Sequence, residues 1–309
     1  MSDVITIGAA TLDVFFRSSA FQLVEKNGNL ALCEQFNEKL DVEEAMISSG
    51  GAATNVAVGL ARLGFSVSCI AEIGKDFAGS VVLHDLEREK VSTEFMVKER
   101  SEETGISGLL ISRDGARTAL VYRGAARMLT ISDVPWEKLQ ASWIHLSSVG
   151  NMDLIQKVFE YCKEHHISLS WNPGNWEIER VASGELHPDW DVIKVLLANR
   201  EEMSHLAGHD LSTEEAWKSS WCFVGPSISV VTDGANGGRY CQNGNCQWYD
   251  GEHVKAVQET GAGDSFATGF IAGQLMNKEV DQSIQYGLKE ASSVIRKMGA
   301  KTGLLHALE

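Results

Sequence analysis

Short apolar runs alternate with amphipathic stretches along most of the chain. Residues 4–8 are an apolar, β-branched run closed by a glycine, which predicts a buried first strand. Residues 53–63 place Val56, Leu60 and Leu63 on one face, which predicts a helix. Further strands are predicted at 67–73, 142–147, 167–171, 192–198 and 228–232, and further helices at 76–89, 153–165, 200–206, 264–276 and 281–298. This alternation predicts an α/β fold, a parallel sheet covered by helices on both faces.

Two stretches, residues 14–48 and 94–123, break this rhythm because their apolar and polar positions alternate. Within the second stretch, residues 108–112 and 118–122 flank a plausible hairpin turn at 113–116. Antiparallel strands inserted in an α/β chain indicate a small accessory sheet, which would suit a lid. A decorated edge of the main sheet is the alternative, and periodicity does not separate the two.

Composition and charge narrow the class of protein. The chain has 309 residues, 44% of them hydrophobic, which is ample for a buried core and excludes disorder. Its net charge is 27 − 42 = −15 with no basic block, so we expect no nucleic-acid or anionic-membrane partner. No apolar run approaches the roughly 18 residues of a membrane span. The start lacks the pattern of a signal peptide, so a cytoplasmic location is expected.

The six cysteines do not resemble a metal site, because none of them has CxxC spacing. Cys241 and Cys246 are a loose pair with no histidine beside them. Disulfide frameworks belong mainly to short secreted chains, so reduced cytosolic thiols are expected.

A glycine-rich segment enters the helix predicted at 264–276 and carries Gly261, Ala262, Gly263 and Asp264. Small residues before a helix let backbone N–H groups approach an anion, which the helix dipole also favours. An aspartate in the first turn would lie beside that anion and could take a proton from an attacking hydroxyl. A tight turn followed by an ordinary helix start is the alternative.

A second glycine turn, at Gly50 and Gly51, enters the helix that carries Asn55. Adjacent glycines let a ligand touch backbone, and an asparagine both donates to and accepts from hydroxyls. Asp13 follows the first strand at the sheet edge where α/β proteins bind ligands. An ordinary loop-to-helix junction and a surface aspartate would look the same.

Two further segments follow predicted strands. Asn199 and Glu202 are three apart at a helix start, where they could serve Mg²⁺ or a phosphate. The same spacing is that of a capping box. Thr232 and Gly234 follow the strand at 228–232 and could wrap nucleotide phosphates, although a hairpin turn has the same composition.

Taken in order, these segments resemble the ribokinase-like (PfkB) carbohydrate kinases over essentially the whole chain. The segment from Gly50 through Asn55, followed by Gly64 and Gly74, has the spacing of the family's N-terminal signature. Residues 261–264 match the GAGD core of its C-terminal signature. Residues 199–202 match its NxxE motif, and residues 232–234 resemble its T-x-G nucleotide segment. These matches occur in the family's order along the chain, which makes coincidence a poor explanation.

The resemblance implies one doubly wound α/β domain over residues 1–309, with a β lid made from segments 14–48 and 94–123. It implies that Asp264 is the catalytic base and that the amides of residues 261–263 form an anion hole. It also implies ATP and Mg²⁺ as cofactors and a homodimer that pairs through the lid. It implies that substrate hydroxyls are bound by Asp13, Gly50, Gly51 and Asn55. It also implies that the nucleotide and its phosphates are bound by Asn199, Thr232 and Gly234, and that Mg²⁺ is bound by Glu202.

One departure from the family pattern concerns Gln258. Relatives that potassium activates carry an aspartate there, as a cation ligand, so a monovalent-cation requirement is not expected here. Lys301, in the neighbouring loop 299–303, is an alternative positive group for that position. Thr268 also differs from the residue that the signature prefers. Neither the base nor the anion hole is lost.

The function expected is phosphorylation of a small sugar of the ribose, fructose or keto-deoxy sugar acid class. A nucleoside kinase and a catalytically weakened sugar-binding relative are the alternatives. A dinucleotide oxidoreductase is disfavoured because residues 8–13 lack GxGxxG. A phosphorylated substrate is a further alternative, because the second insertion and the residues just after it carry Arg113, Arg117, Arg123 and Arg127.

Overall fold

The computed structural model describes residues 2–26, 29–34, 37–99, 101–113, 115, 117–219, 223 and 225–308. Its strands are β1 (Ser2–Ile7), β2 (Thr11–Arg17), β3 (Gln22–Lys26), β4 (Asn29–Cys33), β5 (Glu44–Gly50), β6 (Val67–Ile70), β7 (Glu72–Gly74), β8 (Val97–Glu99), β9 (Gly105–Ile111), β10 (Arg117–Tyr122), β11 (Ala141–Leu146), β12 (Ser168–Trp171), β13 (Ile193–Asn199), β14 (Ile228–Thr232), β15 (Gly238–Gln242) and β16 (Asn245–Tyr249). Its α-helices are α1 (Ala52–Arg62), α2 (Phe77–Arg88), α3 (Met152–His165), α4 (Asn175–Ser183), α5 (Arg200–Ala207), α6 (Glu214–Trp217), α7 (Ala262–Leu275) and α8 (Val280–Ile295). Short 3₁₀ segments lie at Gly124–Arg127, Ile131–Asp133, Trp136–Lys138 and Gly234–Asn236.

The main sheet has eight strands in the order β6-β1-β11-β12-β13-β14-β15-β16. The pairings from β6 to β14 are parallel, and only those of β15 and β16 are antiparallel. The predicted α/β class with a mostly parallel sheet is therefore confirmed. Residues after the parallel strands meet at one edge, which gathers the candidate site residues.

Apolar side chains leave the main sheet on both faces, since neighbouring strand residues point in opposite directions. Val4 belongs to a core built with α1, α7 and α8, whereas Ile5 and Ile7 belong to the core on the other face, with α3 and α5. Burying such a side chain contributes about 1.5–3 kcal/mol. Helices on both faces explain why the strands carry almost uninterrupted apolar runs.

A second, four-stranded sheet, which we call the small sheet, has the order β10-β9-β2-β5. Its strands come largely from the two irregular stretches, and the expected β hairpin is confirmed by the antiparallel pairing of Leu110 with Thr118. Two residues of the expected turn, Asp114 and Ala116, lie outside the described residues. β3 and β4 form a separate hairpin nearby in the chain. That the small sheet acts as a lid stays a prediction.

Most element boundaries fall within two or three residues of the prediction, with one break. The strand predicted at 67–73 is divided, because β6 joins the main sheet whereas β7 pairs with β8 in a sheet of two strands. Among the described helices, none is both long and apolar enough to cross a bilayer.

The expectation of reduced thiols is wrong for Cys241 and Cys246, which form a disulfide. These residues are direct partners in the antiparallel register of β15 and β16, with their Cα atoms 4.0 Å apart. The hairpin therefore brings together two thiols that the spacing alone did not pair. Cys33, Cys69 and Cys162 are free, and Cys222 lies outside the described residues.

Candidate active site

Asp264 and Asn55 meet at the edge of the main sheet although 209 positions separate them in the chain. The Asn55 amide Nδ2 donates a hydrogen bond of 2.7 Å to Asp264 Oδ2. Asp264 belongs to the first turn of α7 and Asn55 to the first turns of α1. Asn55 is buried, and its Oδ1 has no hydrogen-bond partner within the described part of the chain. A buried acceptor without a partner is suited to a ligand hydroxyl.

The surroundings of Asp264 raise its pKa above the ordinary value of 3.8. Burial is the main cause and the charge of Asp13 adds to it, whereas the Asn55 hydrogen bond and Lys301 oppose it. A carboxylate with a raised pKa is a better proton acceptor near neutral pH. The two glycine turns therefore converge on a carboxylate with the properties of a base.

Asp13 lies within β2 rather than in a turn and is 4% exposed. Thr11 Oγ1 donates to Asp13 Oδ1 at 3.0 Å, and burial raises the pKa of Asp13. A Cβ on Gly50 would lie 1.9 Å from Asp13 Oδ2, so only glycine fits beside this carboxylate. Gly51 has φ +92° and would bring a Cβ to 2.4 Å from Ala9 O. Steric need thus explains both glycines.

The segment before α7 turns sharply at Gly261, which has φ +82° and contacts Ala300 closely. A Cβ on Gly263 would meet open space, so this glycine leaves room rather than relieving a clash. The Ala262 N–H donates to Glu259 O at 3.2 Å, so it is already used in this structure. The remaining N–H groups of the first helical turn lack intrahelical partners and can receive an anion.

Asn199 and Glu202 form the capping box that their spacing allowed. Asn199 Oδ1 accepts from the Glu202 N–H, and Glu202 Oε2 accepts from the Asn199 N–H, both at 2.8 Å. Burial raises the pKa of Glu202, and the charge of Asp264 raises it further. Both residues line a cavity of about 200 Å³ with residues 261–264 and Thr232. The capping role therefore does not remove them from the site.

Thr232 and Gly234 line a larger neighbouring cavity of about 950 Å³, which Asn199 also borders. The hairpin alternative is present too, because β14 and β15 pair antiparallel around this turn. Arg200 Nη1 lies 3.2 Å from Asp233 Oδ2 and holds the turn against the start of α5. The larger cavity meets the smaller one at Asn199 and Thr232. A nucleotide-sized volume thus opens onto the start of α7.

The model of the pfkB family carbohydrate kinases matches residues 1–307 of the chain. The protein belongs to this family. The chain is similar to a ribokinase of Staphylococcus aureus, with 26% identity over 87% of this chain and 90% of that one. It is also similar to a nucleoside kinase of Methanothermobacter thermautotrophicus, with 26% identity over 82% of this chain and 81% of that one.

Among solved structures, the fold is similar to that of Arabidopsis thaliana ribokinase complexed with ribose and ATP. The TM-score is 0.75 at 18% identity, over 98% of this chain and 96% of that one. The protein is thus a sugar or nucleoside kinase of the pfkB family, with a ribokinase-like fold.

The donor set for Mg²⁺ in this pfkB kinase is sparse. Within the described part of the chain, no three histidine, cysteine, aspartate or glutamate side chains cluster as a metal site. Mg²⁺ typically keeps several waters and binds through one or two carboxylates and substrate phosphates. Glu202, beside the start of α7, fits that mode of binding.

The residues around Gln258 do not fit the monovalent cation of the potassium-activated relatives. The buried Gln258 amide Nε2 donates to the carbonyls of Thr260 at 3.1 Å and Lys297 at 3.2 Å. Its Oε1 accepts from the Thr260 N–H. Carbonyl oxygens that would face a cation here receive an N–H donor instead. The amide thereby joins the turn before α7 to the end of α8.

Lys301 does not take that position either. Its buried Nζ donates to Thr54 Oγ1 at 2.8 Å and to Ser49 Oγ, and it lies 3.8 Å from Asp85 Oδ2. Burial lowers the pKa of Lys301 to about 8. This ammonium is behind the glycine turn at Gly50 and Gly51, where its charge lowers the pKa of both Asp13 and Asp264. The sequence gives no signal for contacts between residues about 250 positions apart.

Arg117 is a second residue whose place the sequence does not reveal. It begins β10 of the small sheet, yet it lines the cavity of about 200 Å³ with Asp264 and Glu202. Its Nη1 lies 3.9 Å from Glu259 Oε2, and half-exposed pairs of this kind are weak. The small sheet therefore brings a positive side chain to the proposed phosphate position.

Proposed function

We propose that this pfkB kinase transfers the γ-phosphoryl group of ATP to a hydroxyl of a small sugar. The observation that carries the proposal is the Asn55–Asp264 hydrogen bond, which joins the helix starts that follow the two glycine turns. A carboxylate with a raised pKa lies there, beside free amides of the first turn of α7. Family membership supports the same assignment.

In this mechanism Asp13, Asn55 and the backbone at Gly50 and Gly51 hold the other hydroxyls of the sugar, and the reacting hydroxyl lies beside Asp264. Its oxygen attacks the γ-phosphorus, its proton passes to Asp264, and the bond to the bridging oxygen of ATP breaks to release ADP. Amides at the start of α7 receive the negative oxygens of the transferring group. Glu202 would hold Mg²⁺, which would supply positive charge to the phosphates when bound. Positioning and electrostatics dominate such transfers, so no covalent intermediate is needed.

The nucleotide would occupy the larger cavity, against Asn199, Thr232 and Gly234. Backbone dipoles rather than a basic patch would then meet the phosphates, which suits a chain of net charge −15. Nucleoside phosphorylation is the second candidate, favoured by the similarity to the nucleoside kinase of Methanothermobacter thermautotrophicus. A cytoplasmic location remains part of the proposal.

The small sheet also supports the expected homodimer, as part of this proposal. Ile47, Leu120 and Val121 are 59%, 63% and 50% exposed on its strands, and β10 is an edge strand. We expect sedimentation velocity to show a dimer that Leu120→Lys shifts toward monomer. A wild-type monomer at every concentration tested would contradict it.

ADP release coupled to a spectroscopic readout tests the proposed function. The purified chain is assayed with ATP and Mg²⁺ against sugars, sugar acids, sugar phosphates and nucleosides. We expect acceptor-dependent ADP release for one substrate class. A chain that binds these compounds without releasing ADP would instead be the weakened sugar-binding relative.

A further inference from the structure

We infer that the acceptor sugar is anionic and that Arg123 and Arg127 bind its carboxylate or phosphate group. This inference rests on the proposed function and specifies its substrate class. It starts from a third cavity, of about 190 Å³, between the small sheet and the carboxyl edge of the main sheet. Its lining residues come from the segments that follow β1, β11 and β12 and from the end of β10 with the 3₁₀ turn after it.

The charge of this cavity is opposite to that of the chain. Arg123 and Arg127 are its only charged lining residues within the described part of the chain. The whole chain carries −15. Neither guanidinium has an ion pair or hydrogen bond among the described residues. Two arginines facing one cavity without a carboxylate are a ready site for an anionic oxygen group, which guanidinium binds through paired N–H donors.

Several hydrogen-bond donors in the rest of the cavity wall are already bonded to a carboxylate of the protein itself. Buried Glu177 accepts from the N–H groups of Val149, Gly150 and Gly174 and from Ser148 Oγ, at 2.8–3.1 Å. Those donors are therefore already used. The arginines remain as the positively charged groups able to bind an anion, and Arg127 packs across Gly150, which has no side chain to obstruct it.

The position of the cavity relative to Asp264 orients the substrate. Thr11 lines the cavity and donates to Asp13 at 3.0 Å, and the charge of Asp13 acts on Asp264. An acceptor would thus place its reacting hydroxyl at Asp264 and its middle hydroxyls at Asp13. Its anionic group would lie at the far end, on the two arginines. Asn175 and Trp176, at the start of α4, complete the wall around that end.

The test compares matched acceptors and matched variants. The acceptors are 2-keto-3-deoxygluconate for a carboxylate, ribose 1-phosphate and fructose 6-phosphate for a phosphate, and ribose and fructose as neutral sugars. The variants are Arg123→Gln and Arg127→Gln. Lys163→Gln is the control, because it removes one positive charge at the other end of α3. Initial rates are read with the change in Tm that each acceptor causes.

We expect an anionic acceptor to give the highest kcat/KM, and either arginine variant to raise its KM about 10–100-fold. Lys163→Gln should change neither the KM for the anionic acceptor nor the shift in Tm that this acceptor causes. The carboxylate and phosphate arms show which group is bound. Turnover that favours a neutral sugar, or KM values insensitive to both arginine variants, would overturn the inference and leave the kinase intact. An anionic acceptor that raises Tm through the arginines but releases no ADP would support the site and contradict the kinase.

Discussion

Asp264 is the residue on which turnover is expected to depend most. Replacing it by asparagine keeps the shape and the contact with Asn55 but removes the proton acceptor. We expect Asp264→Asn to lower kcat by about 10²–10⁴ while ATP binding persists. Steady-state rates and a nucleotide titration measure the two effects.

Asp153→Asn is the matched control, since Asp153 is also an acid in the first turn of a long helix. It should cost at most about 1 kcal/mol of stability and leave kcat unchanged. Near-normal turnover of Asp264→Asn, with only a similar loss of stability, would assign Asp264 a structural role.

Gln258 predicts activity that does not depend on potassium. Its amide donates to both carbonyls that a cation would otherwise share, so the turn before α7 is held without an ion. We expect equal initial rates in potassium chloride and tetramethylammonium chloride at equal ionic strength. Saturable activation of the wild type by potassium would contradict this.

The reverse change should create an ion requirement. Gln258→Asp replaces the amide donor by a carboxylate that faces the carbonyls of Thr260 and Lys297. Because the carboxylate and the two carbonyls are all hydrogen-bond acceptors, a cation is needed between them. We expect this variant to lose activity in tetramethylammonium and to recover it in part as potassium saturates. Gln258→Asn keeps an amide donor and serves as the control without a potassium response.

At the residue scale, the sequence indicates types of chemistry but not the partners of long side chains. Asp264 and Asn55 were each recognisable beside a glycine turn, because backbone needs restrict such turns to few residues. From the sequence, Lys301 is only an alternative to the monovalent cation, yet in the structure it contacts Ser49 and Thr54. Four rotatable bonds separate its ammonium from the backbone, and only tertiary packing selects among their states.

Among the elements, the small sheet is expected to close over the substrate. β2 and β5 carry Asp13 and Gly50, whereas Asp264 is on α7, so binding must bring the two sheets into a fixed relation. We expect amides of β2, β5, β9 and β10 to exchange more slowly with acceptor and a nonhydrolysable ATP analogue. Hydrogen exchange measured by mass spectrometry gives this readout.

The central strands of the main sheet provide the internal reference. β12 and residues 193–196 of β13 are largely buried and line none of the three cavities proposed for ligands, so their exchange should stay the same. Equal protection of the small sheet with and without ligands would indicate a static edge rather than a lid.

Elements with strong periodicity are the part of the fold that the sequence predicts well. The central strands and α7 and α8 follow their apolar patterns to within about three residues. The split between β6 and β7 was missed because both halves are apolar and buried, and periodicity cannot show a change of partner. The disulfide was missed because it depends on the register of β15 and β16.

For the whole molecule, Glu290 predicts how stability depends on pH. Glu290 is buried, its Oε1 has no partner within the described residues, and burial raises its pKa from 4.5 to about 7. The protonated form is thus favoured in the folded state, so its stabilisation is complete below pH 4.5. That contribution is lost as pH rises toward 7.

Glu290→Gln keeps the shape but cannot ionise. We expect the variant to match the wild type near pH 4 and to exceed its free energy of unfolding at pH 8 by up to about 3 kcal/mol. Urea unfolding at both pH values measures this, with exposed Glu164→Gln as the control. In Glu290→Gln the free energy of unfolding should still fall in part as pH rises, because burial also raises the pKa of Glu72 to about 7. Parallel curves for variant and wild type would contradict the assignment.

The position of β1 between β6 and β11 determines when the chain can fold during its synthesis. β1 is made well before its partner β11, which spans residues 141–146, and β2 likewise waits for β9. At about 5–20 residues per second, the ribosome leaves one side of β1 open for roughly 7–30 seconds. During that interval Ile5 and Ile7, fully covered in the finished sheet, lie on an unpaired apolar strand. We therefore expect a chaperone that covers β1 until residue 146 has emerged to raise the yield of folded chain.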